Sequence, residues 1–171
     1  RLPIAAFLLS FVFVDYLYYL NHRLFHTRKL WFMHQVHHTV TEMDVLGTSR
    51  NTLRTSFLIV YLWIHSLFLY LLQEPYWYIL GISLSSALDL WRHSNFTPKV
   101  NTWLYRCLSP WLILPQDHAW HHSTNCHRGN YGANLKLWDK IHGTYYESHN
   151  LPDSLGISNY LSFTKKLFLP F

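Results

Sequence analysis

The chain has 171 residues, short enough for a single domain. Half of them are hydrophobic and 13% are charged, against about 25% in an ordinary globular protein, so the charges are too few to cover a water-soluble surface and part of it is expected to face lipid. The net charge of +5 with His neutral does not point to nucleic acid, because the basic residues flank apolar segments instead of forming a stripe, which suits anionic headgroups better.

The first apolar stretch runs from Leu2 to about Leu20. Its roughly 19 residues, at about 1.5 Å each, cover about 28 Å, close to a hydrocarbon core. Asp15 interrupts it near its end, and Tyr16, Tyr18 and Tyr19 read as an interfacial aromatic belt. No leader or cleavage site precedes this run and there is no initiator Met, which leaves open that the chain is a fragment with membrane segments upstream.

Asn21 to Arg54 is polar and His-rich, with no Pro and one Gly, and is expected to be helical over much of its length. A second apolar run, Thr55 to Leu72, is broken by Gln73-Glu74-Pro75, and a third, Tyr76 to Leu90, heads back. A break that short makes a tight helical hairpin, a full span or a re-entrant pair, with both ends on one side. Every Lys and Arg except Arg1 falls on that side, which the positive-inside rule places in the cytoplasm. Trp103 to Leu114, flanked by Pro98 and Pro115, reads as short helices on the membrane or beneath a site, and Leu161 to Phe171 as another interfacial anchor. Cys107 and Cys126 lack CxxC spacing and read as unpaired thiols in a reducing compartment. The fold class expected is all-α, an integral-membrane, multi-pass helical bundle with a His-rich cap, as one domain over residues 1–171.

Thirteen residues are histidine; eight of them lie in three tight groups, and a ninth stands apart. His22 and His26 (HRLFH) are four apart, one face of a helix. His34, His37 and His38 (HQVHH) have offsets of three and four; the adjacent pair points about 100° apart, toward two different centres. His93 stands alone in DLWRHSN, and His118, His121 and His122 (HAWHH) repeat the HxxHH spacing. An isolated His of this kind is more often a hydrogen-bonded core residue than a ligand. Nine together, on one side of a membrane, would be costly to bury without partners, and a metal pair satisfies them at once with four or five ligands per centre. Imidazole serves Zn, Cu, Fe and Ni alike, so the ligand set does not choose the metal. Asp15, seven residues before His22, is either a carboxylate that accepts a ligand N–H or a polar residue at the membrane boundary. Asp89, four before His93, is a candidate ligand or outer partner, and Asp117 adjoins His118. His65, inside the second apolar run, reads as a hydrogen bond to a neighbouring helix.

The segments DYLYYLNHRLFH, LWFMHQVHHT, HSNF, PQDHAWHHS and NYGANLKLWDKIHGTYY together resemble the motifs of the fatty acid hydroxylase and sterol desaturase superfamily, from Asp15 to Tyr146. The resemblance implies a membrane four-helix fold with a cytoplasmic dimetal site, and a lipid hydroxylase or desaturase acting on a fatty acyl, sterol or related substrate. It implies two Fe ions, with Zn as a substitute in a preparation, and O2 as co-substrate. A separate electron donor, cytochrome b5-like or ferredoxin-like, is implied as well. It carries ligand roles to His22, His26, His34, His37, His38, His93, His118, His121 and His122. Asp89 stands where some relatives have His, which leaves the coordination number of one metal open. Asn95, Asn125, Asn130 and Tyr131 lie near the motifs as outer-shell or headgroup contacts, or as plain turn residues. The alternative is a membrane metal-binding protein or a zinc-dependent hydrolase without oxygenase activity; the latter needs a Glu base as in HExxH, and neither Glu42 nor Glu147 is in such a motif.

Overall fold

The computed structural model describes residues 2–124 and 129–168; Cys126 and His127 lie outside them. The described residues are helical: α1 (Pro3–Leu8), α2 (Val14–Phe25), α3 (Trp31–His34), α4 (Leu53–Leu58), α5 (Val60–Leu71), α6 (Tyr76–Arg92), α7 (Trp103–Leu108), α8 (Pro115–His121), α9 (Lys136–Ile141) and α10 (Phe163–Leu167). Extended pairing among them is limited to two isolated antiparallel bridges, Leu112–Leu135 and Ser123–Leu155.

A π-helical turn, Leu9–Phe13, joins α1 and α2 into one 23-residue helix, the one helix among the described residues long and apolar enough to cross a membrane. Pro3 opens it, where its missing N–H costs nothing. Ser10, buried in the π turn, donates to the Phe7 carbonyl at 3.0 Å, and α6 crosses there at Gly81. A Cβ on Gly81 would stand 1.9 Å from Ser10 Oγ and 3.1 Å from the Phe7 carbonyl oxygen, so only Gly lets the two helices approach this closely.

The second apolar run is not one helix. It breaks at Ile59, whose φ and ψ of −69° and 120° are extended. The break is stabilised by Asn21 on α2: its carboxamide oxygen accepts from Val60 N–H at 3.2 Å, and its amide donates to the Leu58 carbonyl at 3.5 Å. α5 is left with 12 residues, about 18 Å of helix, less than the roughly 30 Å of a hydrocarbon core. It turns through 73–75 into α6, and His65 on α5 meets the Tyr78 hydroxyl on α6 at 2.9 Å.

The expected helix over Asn21–Arg54 is mostly absent. After α2 come α3 and two 3₁₀ turns, His37–Thr39 and Val45–Ser49. Short polar side chains compete for the backbone here: Thr27 donates to the Leu24 carbonyl at 2.7 Å, and Asp44 accepts from Leu46 N–H at 2.6 Å.

Burial divides the molecule. α5 buries none of its residues, and Trp63, Leu67, Tyr70 and Leu71 on α5 with Trp77, Leu80 and Leu84 on α6 are exposed. The buried set at the other end is largely polar and includes eight of the nine motif histidines. A contiguous apolar exterior of this kind marks a surface made for something other than water.

Candidate metal centre

Three helices end at the same place, and each ends on a histidine: His26 caps α2, His93 caps α6 and His122 caps α8. Helix C-termini carry partial negative charge, so all three present ends that favour a cation. One turn back lie His22 on α2 and His118 on α8, with His121 beside His122. α3 supplies His34, and the following 3₁₀ turn supplies His37 and His38.

The nine rings fall into two groups. His22, His26, His34, His38 and His121 form one, and His37, His93, His118 and His122 the other; within each group one ring nitrogen per residue lies within 4.8 Å of all the rest. The sequence neighbours are divided between them, with ring planes at 87° for His37 and His38 and 88° for His121 and His122.

The nitrogens approach closely. Nε2 atoms are 2.9 Å apart for His22–His34, 3.2 Å for His26–His38, 3.0 Å for His93–His118, 3.1 Å for His118–His122 and 3.5 Å for His37–His93. Two nitrogens each about 2.1 Å from a shared metal, at angles of about 90–110°, would be about 3.0–3.4 Å apart, so the spacing fits common ligation.

Protonation supports the same reading. His22 Nδ1 faces the Tyr131 carbonyl, His93 Nδ1 the Asp89 carbonyl and His121 Nδ1 the Gly129 carbonyl, each at 2.8 Å. A carbonyl only accepts, so these rings carry the proton on Nδ1 and turn an Nε2 lone pair inward. His121 Nε2 is buried with no hydrogen-bond partner. His93 Nε2 faces both His37 and His118, and His118 Nε2 faces both His93 and His122. Hydrogen bonds can satisfy such a cluster only pairwise, whereas a cation accepts every lone pair at once. Burial, reinforced by neighbouring rings and Arg92, holds His37 down to about 3 and His93 to about 2. His121 falls to about 4, and His34, His38, His118 and His122 lie well below the ordinary 6.5. All are therefore neutral, the form that binds metal.

Of the expected outer carboxylates, Asp89 lies beside His93, its Oδ1 3.7 Å from the ring Nδ1, whereas Asp15 and Asp117 serve other partners. Asp15 reaches none of the described histidines. It accepts from the backbone N–H of Asn134 (2.9 Å) and Leu135 (3.2 Å) and from Trp138 Nε1 (2.8 Å), tying α2 to the segment whose Tyr131 carbonyl orients His22. Asp89 belongs to neither donor group: its carboxylate pairs with buried Arg92, which needs a counter-charge, and its backbone carbonyl orients His93. Asp117 accepts from Leu114 N–H at 2.7 Å, capping α8, and pairs with Lys136 at 2.8 Å; burial nonetheless raises its carboxyl. Asn95 is exposed on the turn after His93, and Asn125 lies outside the described residues.

Sequence reasoning missed Asp139. Its carboxylate accepts from Tyr131 N–H (2.9 Å), Gly132 N–H (2.7 Å) and the Thr144 hydroxyl (2.6 Å), fixing the strap that carries the Tyr131 carbonyl. Asn130, at φ 55°, takes the left-handed conformation Asn tolerates and bonds Asp117 and Tyr146 backbone atoms. The sequence signal was faint, a lone acid in LWDKIHG.

A model of the fatty acid hydroxylase family matches residues 7–144. The chain is 34% identical to the ornithine lipid hydroxylase OlsE of Rhizobium tropici, over 84% of this chain and 42% of that protein. It is 32% identical to the alkylglycerol monooxygenase of Homo sapiens, over 80% of this chain and 29% of that protein, and 33% to that of Danio rerio, over 80% and 30%. The chain thus spans less than half the length of these relatives. No solved structure matches it. By the family match, which covers most of its length and takes in all nine motif histidines and the strap beyond them, the chain belongs to the fatty acid hydroxylase family.

Proposed function

We propose that this chain forms the catalytic region of an O2-dependent, di-iron lipid monooxygenase embedded in a membrane, with the nine histidines as its metal ligands. The observation that carries the reading is the pair of donor groups, five rings and four, buried side by side at three helix ends. Family membership supports a lipid as substrate, and the words hydroxylase and monooxygenase in the relatives' names favour oxygen insertion over desaturation. When bound, the iron pair supplies the O2 activation that no side chain here can provide. The balance is R–H + O2 + two electrons + two protons giving R–OH + water, with electrons from a separate cytochrome b5-like or ferredoxin-like protein.

The chain's own residues supply the rest. Neutral imidazoles present lone pairs, and the carbonyls of Tyr131, Asp89 and Gly129 lock three rings in the ligating tautomer. Burial of the cluster excludes bulk water. The Pro3–Phe25 helix and the α5–α6 hairpin lie in the bilayer, in keeping with their exposed apolar faces. The histidine end faces the cytoplasm, in keeping with the basic residues around it.

The test is isotopic. The full-length protein, purified with its metal and supplied with reductant and lipid extract under ¹⁸O2, is expected to place one ¹⁸O in a lipid product and to contain about two Fe per chain. Turnover without O2, or product oxygen drawn from water, would sink the proposal.

A further inference from the structure

A chamber of about 350 Å³ lies between the Pro3–Phe25 helix, α5 and α6, within the roughly 300–1,000 Å³ of small-molecule sites. Carbon makes up most of its exposed wall, from Val14, Ile82 and Leu90 among others, and Ser10, His65, Ser85 and Ser86 add scattered polar groups. At its inner end Tyr18, Thr48, Tyr61, Asp89 and Arg92 also line a gap of about 20 Å³ that His22, His34, His37 and His93 border. The chamber therefore shares a wall with a gap that both histidine groups border.

That wall holds unsatisfied polar atoms. Arg92 is 3% exposed; it pairs with Asp89, yet its Nε and Nη1 are buried with no hydrogen-bond partner. Asn134, 5% exposed and on the same chamber, leaves its carboxamide oxygen buried and unpartnered, and so does Thr48 its hydroxyl. Buried polar groups are normally satisfied, so a set of orphans around one cavity asks for a ligand that completes them. Charge narrows its chemistry. Arg92 and Asp89 cancel, and the carboxyl of Asp15 lines the chamber as well, so an anionic headgroup would bring an uncompensated charge beside two acidic side chains and the Asn134 oxygen. A group that accepts from Arg92 and donates to Asn134, without charge, satisfies both.

We propose that this chamber recognises its lipid by an uncharged polar group that both donates and accepts hydrogen bonds, a hydroxyl or a carboxamide, held between Arg92 and Asn134. The attached chain then lies in the chamber along Val14, Ile82 and Leu90, next to the gap that His22, His34, His37 and His93 border. Arg92, Asn134 and Thr48 are positioning and specificity residues. The inference rests on the oxygenase reading for the role of the chamber, but its test does not need turnover.

Metal-loaded full-length protein in nanodiscs is titrated with four probes of one chain length: hexadecane, palmitate, 1-hexadecanol and hexadecanamide. Binding is read by thermal shift. The alcohol and the amide are expected to bind about tenfold tighter than the alkane and the carboxylate, the worth of one net hydrogen bond. Arg92→Lys, which keeps the charge opposite Asp89, and Thr48→Val, which keeps the shape, are each expected to shrink that preference while metal content stays unchanged. Equal binding of alcohol and alkane, tightest binding of palmitate, or an undiminished preference in both variants would overturn the inference. The four-probe series on the unaltered protein decides the matter even if a variant fails to fold. Absence of bound metal or of ¹⁸O2 incorporation would instead count against the oxygenase reading.

Discussion

The two histidine groups are built from the same residue type yet enclosed differently. The five-ring group draws on α2, α3, the 3₁₀ turn and α8; His26 in it is only half-buried, and two of its rings, His22 and His121, are oriented by backbone carbonyls. The four-ring group is buried throughout, is linked by three short Nε2 contacts, and has one carbonyl-oriented ring, His93. One group thus has a fifth ring at a more open edge, and the other has none. If the groups bind metal as proposed, they should fail differently.

The largest effect is expected in the four-ring group. His118→Ala removes the nitrogen that faces both His93 and His122 and leaves three rings. It is expected to abolish activity and to lower bound metal by about half, a loss beyond the roughly 10–100-fold of an outer partner. Metal analysis and single-turnover assay check it, and two retained metals with full turnover would contradict the ligand set. His26→Ala sharpens the contrast. It leaves four rings, so metal should persist with weakened affinity and activity should fall by about 10–100-fold without vanishing. Equal losses in the two variants would erase the distinction between the groups.

Acid should act on both. His37, His93 and His121, held at about 3, 2 and 4 in the fold against an ordinary 6.5, gain protons first in the unfolded chain. Stability of the metal-free protein is therefore full above about pH 6.5 and falls as pH drops from 6.5 toward 4. Thermal unfolding at pH 7 and pH 5 reads this directly; a higher melting temperature at pH 5 would contradict the buried, neutral rings. The smallest effect is expected from Asp15→Asn, which keeps the shape but weakens hydrogen bonds to Asn134, Leu135 and Trp138. Losing that charge should cost about 1.5–3 kcal/mol of stability, and it should loosen metal in the five-ring group before the four-ring group, because the strap it anchors orients His22 and not His93.

Much of the fold was legible locally. Apolar runs marked the long helices, Gln73-Glu74-Pro75 marked the hairpin turn, and the HxxxH spacing marked two rings that leave one face of α2 together, because a helical period is written into neighbouring residues; in HQVHH the helix ends at His34, and His37 and His38 follow on a 3₁₀ turn. Family membership was legible for the same reason, in motifs of a dozen residues. The sequence did not reveal the break at Ile59, since the groups that stabilise it belong to Asn21, about forty residues earlier. The role of Asp15 stayed open in the sequence because its partners lie 119 to 123 residues away. Adjacent histidines could be said to point apart, but not where, and the proton positions depend on backbone carbonyls that any residue type could have offered. What the sequence alone determined was the supply of imidazoles and the helices that carry them. Only the tertiary structure decided which five and which four rings cluster together, because that follows from where three helix ends meet and which carbonyls they meet there.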